Sequence, residues 1–346
     1  MSVKVIAFFN NKGGVGKTTL VYHLAWMFAD RGKRVLAVDL DPQANLSAAF
    51  LDEDNLENLW SGSRPVKSIF GAIDPLKRGT GDITDPYLVS PSQSITQRSL
   101  FDISTTEDRL ALIPGDMALS SFEDDLSAMW RICTDRDPRA FRVMSAFWRI
   151  MQKGAAKHNA DLILMDLGPN LGAINRAALI SSDFIVIPLA ADLFSLQGLS
   201  NLGPVVREWR EAWRKRLQQN PETNLELPPG EMSPIGYIVM QHSVRQDRPV
   251  KAYERWIARI PKYYRDYVLS EPCESPPSVE EDEHCFALLK HYRSLMPLAQ
   301  EARKPMFYLK PADGAIGAHA NAAYEAFKDF KKLAREIGHR AGINLK

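Results

Sequence analysis

One stretch limits the fold more than any other: "FFNNKGGVGKTT", residues 8–19. An apolar run, "VKVIAFF" (3–9), leads into it, and "TTLVYHLAWMFADRG" leads out with Leu20, Leu24, Met27 and Phe28 at helical spacing. Strand, glycine-rich loop and helix in that order make a phosphate cradle. Glycines let backbone N–H groups close around oxygens, and the helix N-terminus adds positive potential. The usual spacing is G-x-x-x-x-G-K-[ST]. Gly16, Lys17 and Thr18 supply its end, but the first glycine would fall at Asn11. An extra lysine, Lys12, follows that departure. Gly13, Gly14 and Gly16 still meet the physical need. Lys17 is expected to contact the β- and γ-phosphates, and the Thr18 hydroxyl to ligate Mg²⁺. The expected nucleotide-binding loop is therefore Asn11, Lys12, Gly13, Gly14, Val15, Gly16, Lys17, Thr18 and Thr19.

Further short apolar runs recur: "KRVLAVD" (33–39), "LALIPG" (110–115), "DLILMDL" (161–167), "DFIVIP" (183–188), "PIGYIVM" (234–240) and "KPMFYL" (304–309). They read as strands buried on both faces, with helical segments between several of them. The fold class is α/β, a doubly wound, mostly parallel sheet with helices on both faces. Strands continue after each polar interruption, so the chain reads as a single domain, 1–346, with insertions near 52–108 and 217–285. Gly32 is the expected stop of the first helix. Residues 271–284 carry six acids and three prolines and read as a mobile loop.

Composition excludes some classes. Net charge is +1, so any basic surface is local. Cys133, Cys273 and Cys285 are widely spaced, without a metal-binding cluster, and read as reduced thiols. No apolar run reaches membrane-spanning length and no signal-like segment opens the chain, so a cytoplasmic protein is expected.

Two carboxylates end apolar strands. Asp39 can hold Mg²⁺ through water, and Asp166 can complete the Mg²⁺ shell. An Asp at a strand end can instead cap a turn.

The motifs together resemble the ParA/MinD ATPases, the partition and positioning proteins. "KGGVGKTT" resembles their deviant Walker A motif, and "VLAVDLDPQANLS" (35–47) their D-x-D-P-Q strand end. "LILMDLGPNLG" (162–172) resembles their Walker B strand, with Gly168-Pro169-Asn170 where D-x-P-P is usual. "IVIPLAADLFSLQGL" (185–199) and "AQEARKPMFYLKP" (299–311) resemble later strands. The resemblance implies ATP as the nucleotide and Mg²⁺ as the metal. It implies an ATP-bound homodimer in which Lys12 reaches phosphates held by the other subunit. It makes Asp41 the residue that orients the attacking water, so Lys12, Lys17 and Asp41 form the catalytic set. It places part of the base pocket just after the sixth strand, at Met240 and Gln241, with His242 beside them.

A switch ATPase also implies something to switch. "VVREWREAWRKR" (205–216) carries Arg210, Arg214, Lys215 and Arg216; "RPVKAYERWIARI" (248–260) carries Lys251, Arg255 and Arg259. Basic helical stripes suit DNA phosphates, and many ParA-like dimers bind DNA without sequence preference. The alternative for each stripe is a solvated helix face. An activating partner, ParB-like or other, is implied as well. The C-terminal amphipathic run, with Tyr324, Phe327, Phe330, Leu333 and Ile337, is expected to pack on the domain rather than on a membrane. The other readings are a subunit of a defence, secretion or positioning system and a metabolic P-loop enzyme, which would not need Lys12.

Overall fold

The computed structural model of the protein describes residues 2–60, 66–91, 106–240, 250–290, 292 and 295–345, with side chains undescribed at 250–253. Its strands are β1 (Lys4–Phe8), β2 (Val35–Asp39), β3 (Leu110–Ile113), β4 (Leu162–Asp166), β5 (Phe184–Ala190), β6 (Ser233–Met240) and β7 (Cys285–Leu289). They form one seven-stranded sheet in the order β3-β2-β4-β1-β5-β6-β7. Every neighbouring pair runs parallel. The chain winds outward from β1 in one direction, returns to β4, and then winds outward the other way. In such sheets ligands bind at the carboxyl ends of strands where the winding reverses.

Both sheet faces are covered, which explains why β2 and β4 are buried at every position. Side chains alternate across β1. Val5 and Ala7 join the core beneath α5 (Glu123–Ile132), α7 (Ala146–His158), α8 (Ala173–Ile180) and α9 (Leu193–Leu217). Ile6 and Phe8 join the core beneath α1 (Lys17–Asp30), α2 (Asn45–Phe50), α12 (Leu295–Ala302) and α13 (Ala318–Arg340). The other helices are α3 (Glu53–Trp60), α4 (Ile69–Arg78), α6 (Pro138–Met144), α10 (Val250–Ile257) and α11 (Ile260–Tyr263). Gly32 closes α1 as expected, at φ +85°, with Lys33 N–H bonded to Phe28 O at 3.0 Å.

One strand expectation fails. "KPMFYL" is a short 3₁₀ turn, Met306–Tyr308, buried against α1 and α13 without pairing to the sheet. The seventh strand is β7, just beyond the acidic loop. That loop is tied down at its end: buried Asp282 accepts the Tyr237 hydroxyl at 2.7 Å and Arg265 at 2.9 Å. The interval 217–285 is not one insertion either, because β6 runs through it.

In α13, Phe330, Leu333 and Ile337 are buried as expected, but Tyr324 is 63% exposed.

Helix α9 is the longest, with 25 residues and Pro204 inside it. Gly203 brings its midpoint against bare backbone. A Cβ there would lie 2.0 Å from the Tyr267 carbonyl oxygen. Arg207 fixes the same crossing by donating to Val268 O at 3.2 Å.

Candidate functional site

The loop between β1 and α1 is a glycine-rich turn that leads from strand to helix, the order expected of a phosphate cradle. Gly14 and Gly16 lie at φ +72° and +86°, conformations that L side chains rarely adopt. Lys17 is buried and turned back on the loop, donating to Asn10 O at 3.2 Å and Lys12 O at 3.3 Å. Burial lowers its pKa, against the raising influence of Asp166 and Asp41.

The carboxylates meet beside it. Asp39 and Asp166 are register partners across β2 and β4. Thr18 donates to Asp166 Oδ2 at 2.7 Å. Asp39 Oδ2 accepts from Ser47 N–H at 2.8 Å and from the Ser47 hydroxyl at 2.7 Å, and Oδ1 accepts from Asp41 N–H at 3.3 Å. One lone pair on Asp39 Oδ1 is left for a metal-bound water. Burial first, and then neighbouring carboxylates, raise the pKa of both Asp39 and Asp166. Asp166 Oδ1 is buried and lacks a hydrogen-bond donor. A buried carboxylate cluster with an unmatched oxygen beside a threonine hydroxyl fits a hard cation such as Mg²⁺.

Asp41 is 7% exposed, with Oδ1 accepting from Gln43 N–H at 3.0 Å. Gly168, in the segment that departs from D-x-P-P, lets the Walker B loop approach it: a Cβ there would be 3.2 Å from Asp41 Oδ1. Met240 ends β6 with its Cε 3.0 Å from where a Gly16 Cβ would stand. Gln241 lies outside the described residues.

A cavity of about 710 Å³ opens over the cradle, lined by Gly13, Gly14 and Gly16 through Thr19, by Asp41, Gln43 and Asn45, and by Gln300, Arg303 and Lys304 near the end of α12. Sequence reasoning missed Ser47, Asn10 and the α12 residues. Ser47 was within the quoted "DPQANLS", but nothing there marked its hydroxyl as the partner of Asp39.

His23 was missed too. Its ring lines the cavity, bonds Thr19 O through Nδ1 at 2.7 Å, and accepts Met306 N–H at Nε2 at 3.1 Å. That acceptance requires a neutral ring. Burial lowers its pKa from 6.5 to about 4. The unfolded chain binds a proton that the folded chain refuses, so stability is full above pH 6.5 and falls as pH drops toward about 4. The expected loss is roughly 3 kcal/mol. Denaturant titrations from pH 7 to 4 should show a steeper loss for wild type than for His23→Gln, by up to about one proton. Coincident slopes would show that the ring is not neutral in its buried setting.

Lys12 does not reach into the cradle. Its ammonium pairs with Asp192, the N-cap of α9, and sits 5.8 Å over the Phe194 ring.

The basic stripes are only partly available. Arg210 donates to Met232 O. Arg216 donates to Trp130 O at 2.8 Å and stacks 3.9 Å above that indole. Both guanidinium groups thus take part in packing and are only partly exposed. Arg214 and Lys215 stay exposed. Arg255 is exposed beside Trp256, while Arg259 is partly buried and donates to the Tyr263 hydroxyl at 2.9 Å. The Lys251 side chain lies outside the described residues. Among the described residues, no helix is long and apolar enough to cross a membrane.

Known proteins resemble the chain in sequence and in fold. The AAA domain family matches residues 3–219, well over half of the chain. The sporulation initiation inhibitor protein Soj of Bacillus subtilis is 27% identical over 266 residues, covering 77% of this chain and 81% of Soj. Among solved structures, the Cyanothece McdA–ATP complex superposes with a TM-score of 0.60 at 16% identity, covering 100% of this chain and 98% of McdA. pNOB8 ParA bound to nonspecific DNA superposes with a TM-score of 0.55 at 17% identity, covering 98% and 99%.

Proposed function

The chain belongs to the AAA domain family, as a P-loop ATPase of the ParA/MinD type, and from that premise we propose that it is an ATP-dependent dimerisation switch. One observation carries the reading. The loop has two lysines that point different ways: Lys17 turns back into the loop and donates to Asn10 O, whereas Lys12 pairs with Asp192 outside it. Two nucleotides facing each other across a symmetric interface repel unless cations lie between them. Lys12 of each copy supplies that cation to the other.

ATP is the proposed nucleotide, supported by the McdA complex. Thr18 and Asp166, with Asp39 through water, would hold Mg²⁺, which neutralises phosphate charge when bound. Lys17 orients the β- and γ-phosphates, and Asp41 accepts a hydrogen bond from the attacking water and aims it.

Sedimentation with a slowly hydrolysed ATP analogue tests the switch. Wild type should run as a dimer and Lys12→Ala as a monomer that still binds nucleotide. If both run as the same species, Lys12 does not act across an interface.

The output we propose is nonspecific DNA binding in the dimer, supported by exposed Arg214, Lys215 and Arg255 and by the pNOB8 ParA complex. Affinity should fall steeply with salt. Reversing Arg214 and Lys215 together should cut the salt slope by about 2, with nucleotide binding unchanged. No DNA binding at low salt by an ATP-locked dimer would leave a protein cargo as the output. An activating partner protein completes the proposed cycle.

A further inference from the structure

The turn after β4 is held from behind by one buried amide. Asn175 lies in the first turn of α8 and is buried. Its Nδ2 donates to Gly168 O at 2.9 Å and to Asn170 O at 2.7 Å, with Asn170 Oδ1 a third acceptor at 3.0 Å. Three acceptors around one atom require that atom to be the nitrogen. Its Oδ1 is buried without a donor among the described residues, a cost that an alanine in the same helix turn would avoid. The helix end that carries Asn175 is anchored in turn. Asn170 Oδ1 takes the Gly172 N–H at 2.9 Å, and Glu123 of α5 takes the Ile174 N–H at 2.9 Å.

The clamped turn faces the candidate site. It starts straight after Asp166, whose carbonyl takes the Leu40 N–H at 3.0 Å and so ties the ends of β2 and β4 together. A Cβ on Gly168 would stand 3.2 Å from Asp41 Oδ1, and a Cβ on Gly13 would stand 3.8 Å from Pro169 Cγ. The turn thus lies against both the Asp41 carboxylate and the glycine loop. We propose that Asn175 is a positioning residue for hydrolysis: its amide clamps the turn after β4, and that turn walls the Asp41 carboxylate into the orientation that aims the attacking water. The inference rests on the Asp41 reading above and extends it to a residue behind the site. With the amide gone, the Gly168 and Asn170 carbonyls turn to solvent for partners, and the wall recedes from Asp41. A 1 Å misplacement costs about 100-fold. A wall that is loosened rather than removed costs less.

Asn175→Ala and Asn175→Ser test the clamp, beside Asp41→Ala and the Asp41→Ala/Asn175→Ala double variant. Thermal melts check folding, and turnover is measured with saturating Mg²⁺-ATP at a concentration where wild type is dimeric. Both single variants should turn over about tenfold more slowly, with ATP affinity within about twofold of wild type. In the double variant the second substitution should slow nothing further, because Asn175 acts through Asp41. Without nucleotide, backbone amides of 167–172 should exchange hydrogen faster in Asn175→Ala, while those of the glycine loop keep their wild-type rates. Wild-type turnover, equal slowing with and without the Asp41 carboxylate, or loss of ATP binding overturns the clamp. Asn170→Ala, at an exposed position, carries the test if neither buried variant folds: turnover about threefold slower supports the clamp, and the wild-type rate overturns it. Asp41→Ala separates the two ideas. If it turns over like wild type, the Asp41 reading itself fails. If it is slow while the Asn175 variants match wild type, only the clamp fails.

Discussion

Lys17→Ala should bind ATP about 100-fold more weakly than wild type, since hydrogen bonds to charged groups contribute ~1.5–3 kcal/mol each and an ammonium can reach two phosphates. The effect has a second source. Burial lowers the pKa of Lys17, and the Asp166 and Asp41 carboxylates oppose that by favouring its charge. Removing it takes a buried positive charge away from the acidic cluster that faces the incoming triphosphate. Titration calorimetry with Mg²⁺-ATP reads the affinity, and a thermal melt without nucleotide separates lost binding from lost folding. Near wild-type affinity in a folded Lys17→Ala would overturn the assignment of the loop.

The second large effect belongs to Asp41. Asp41→Ala should hydrolyse ATP about 100-fold more slowly, because misplacing one reacting group costs that order. Affinity should change little, since the cradle, Lys17 and Thr18 are untouched. The ATP dimer should therefore accumulate in this variant, visible by sedimentation with ATP itself. Asp41 packs close to Gly168, where a Cβ would stand 3.2 Å from its Oδ1. A wild-type turnover rate would make Asp41 a residue of the turn after β2 and nothing more.

The glycine-rich loop and the strand-end carboxylates of the candidate site were legible because local sequence carries them. Gly14, Gly16, Lys17 and Thr18 are neighbours, and Asp39 and Asp166 each end an apolar run. What the sequence hid depends on distance along the chain. Lys12 and Asp192 pair across 180 residues, and no spacing rule reaches that far. No spacing rule marks Ser47, eight residues after Asp39, yet its N–H and hydroxyl fill the second oxygen of that carboxylate. The misplaced strand has a similar cause. Met306, Phe307 and Leu309 are buried like strand residues, but they plug the gap between α1 and α13. An apolar run reports burial; it does not report pairing. "CFALL" at 285–289 is equally short and sits at the sheet edge with three of its five positions only partly buried, so its pattern was weak. The arginines teach the same lesson about charge. Arg210 and Arg216 were legible as basic residues of a helix, but the carbonyls to which they donate, on Met232 and Trp130, were not.

Helix α9 is a ruler between two charged positions. Asp192 and Arg214 lie eleven residues to either side of Gly203, where the helix packs on the Tyr267 backbone, so about 33 Å separates them at 1.5 Å per residue. Buried Leu196, Leu199, Leu202, Val206, Trp209 and Trp213 seat the helix along that whole span. Pro204 removes one backbone hydrogen bond near the midpoint, and the apolar seat on both sides of it keeps the spacing fixed.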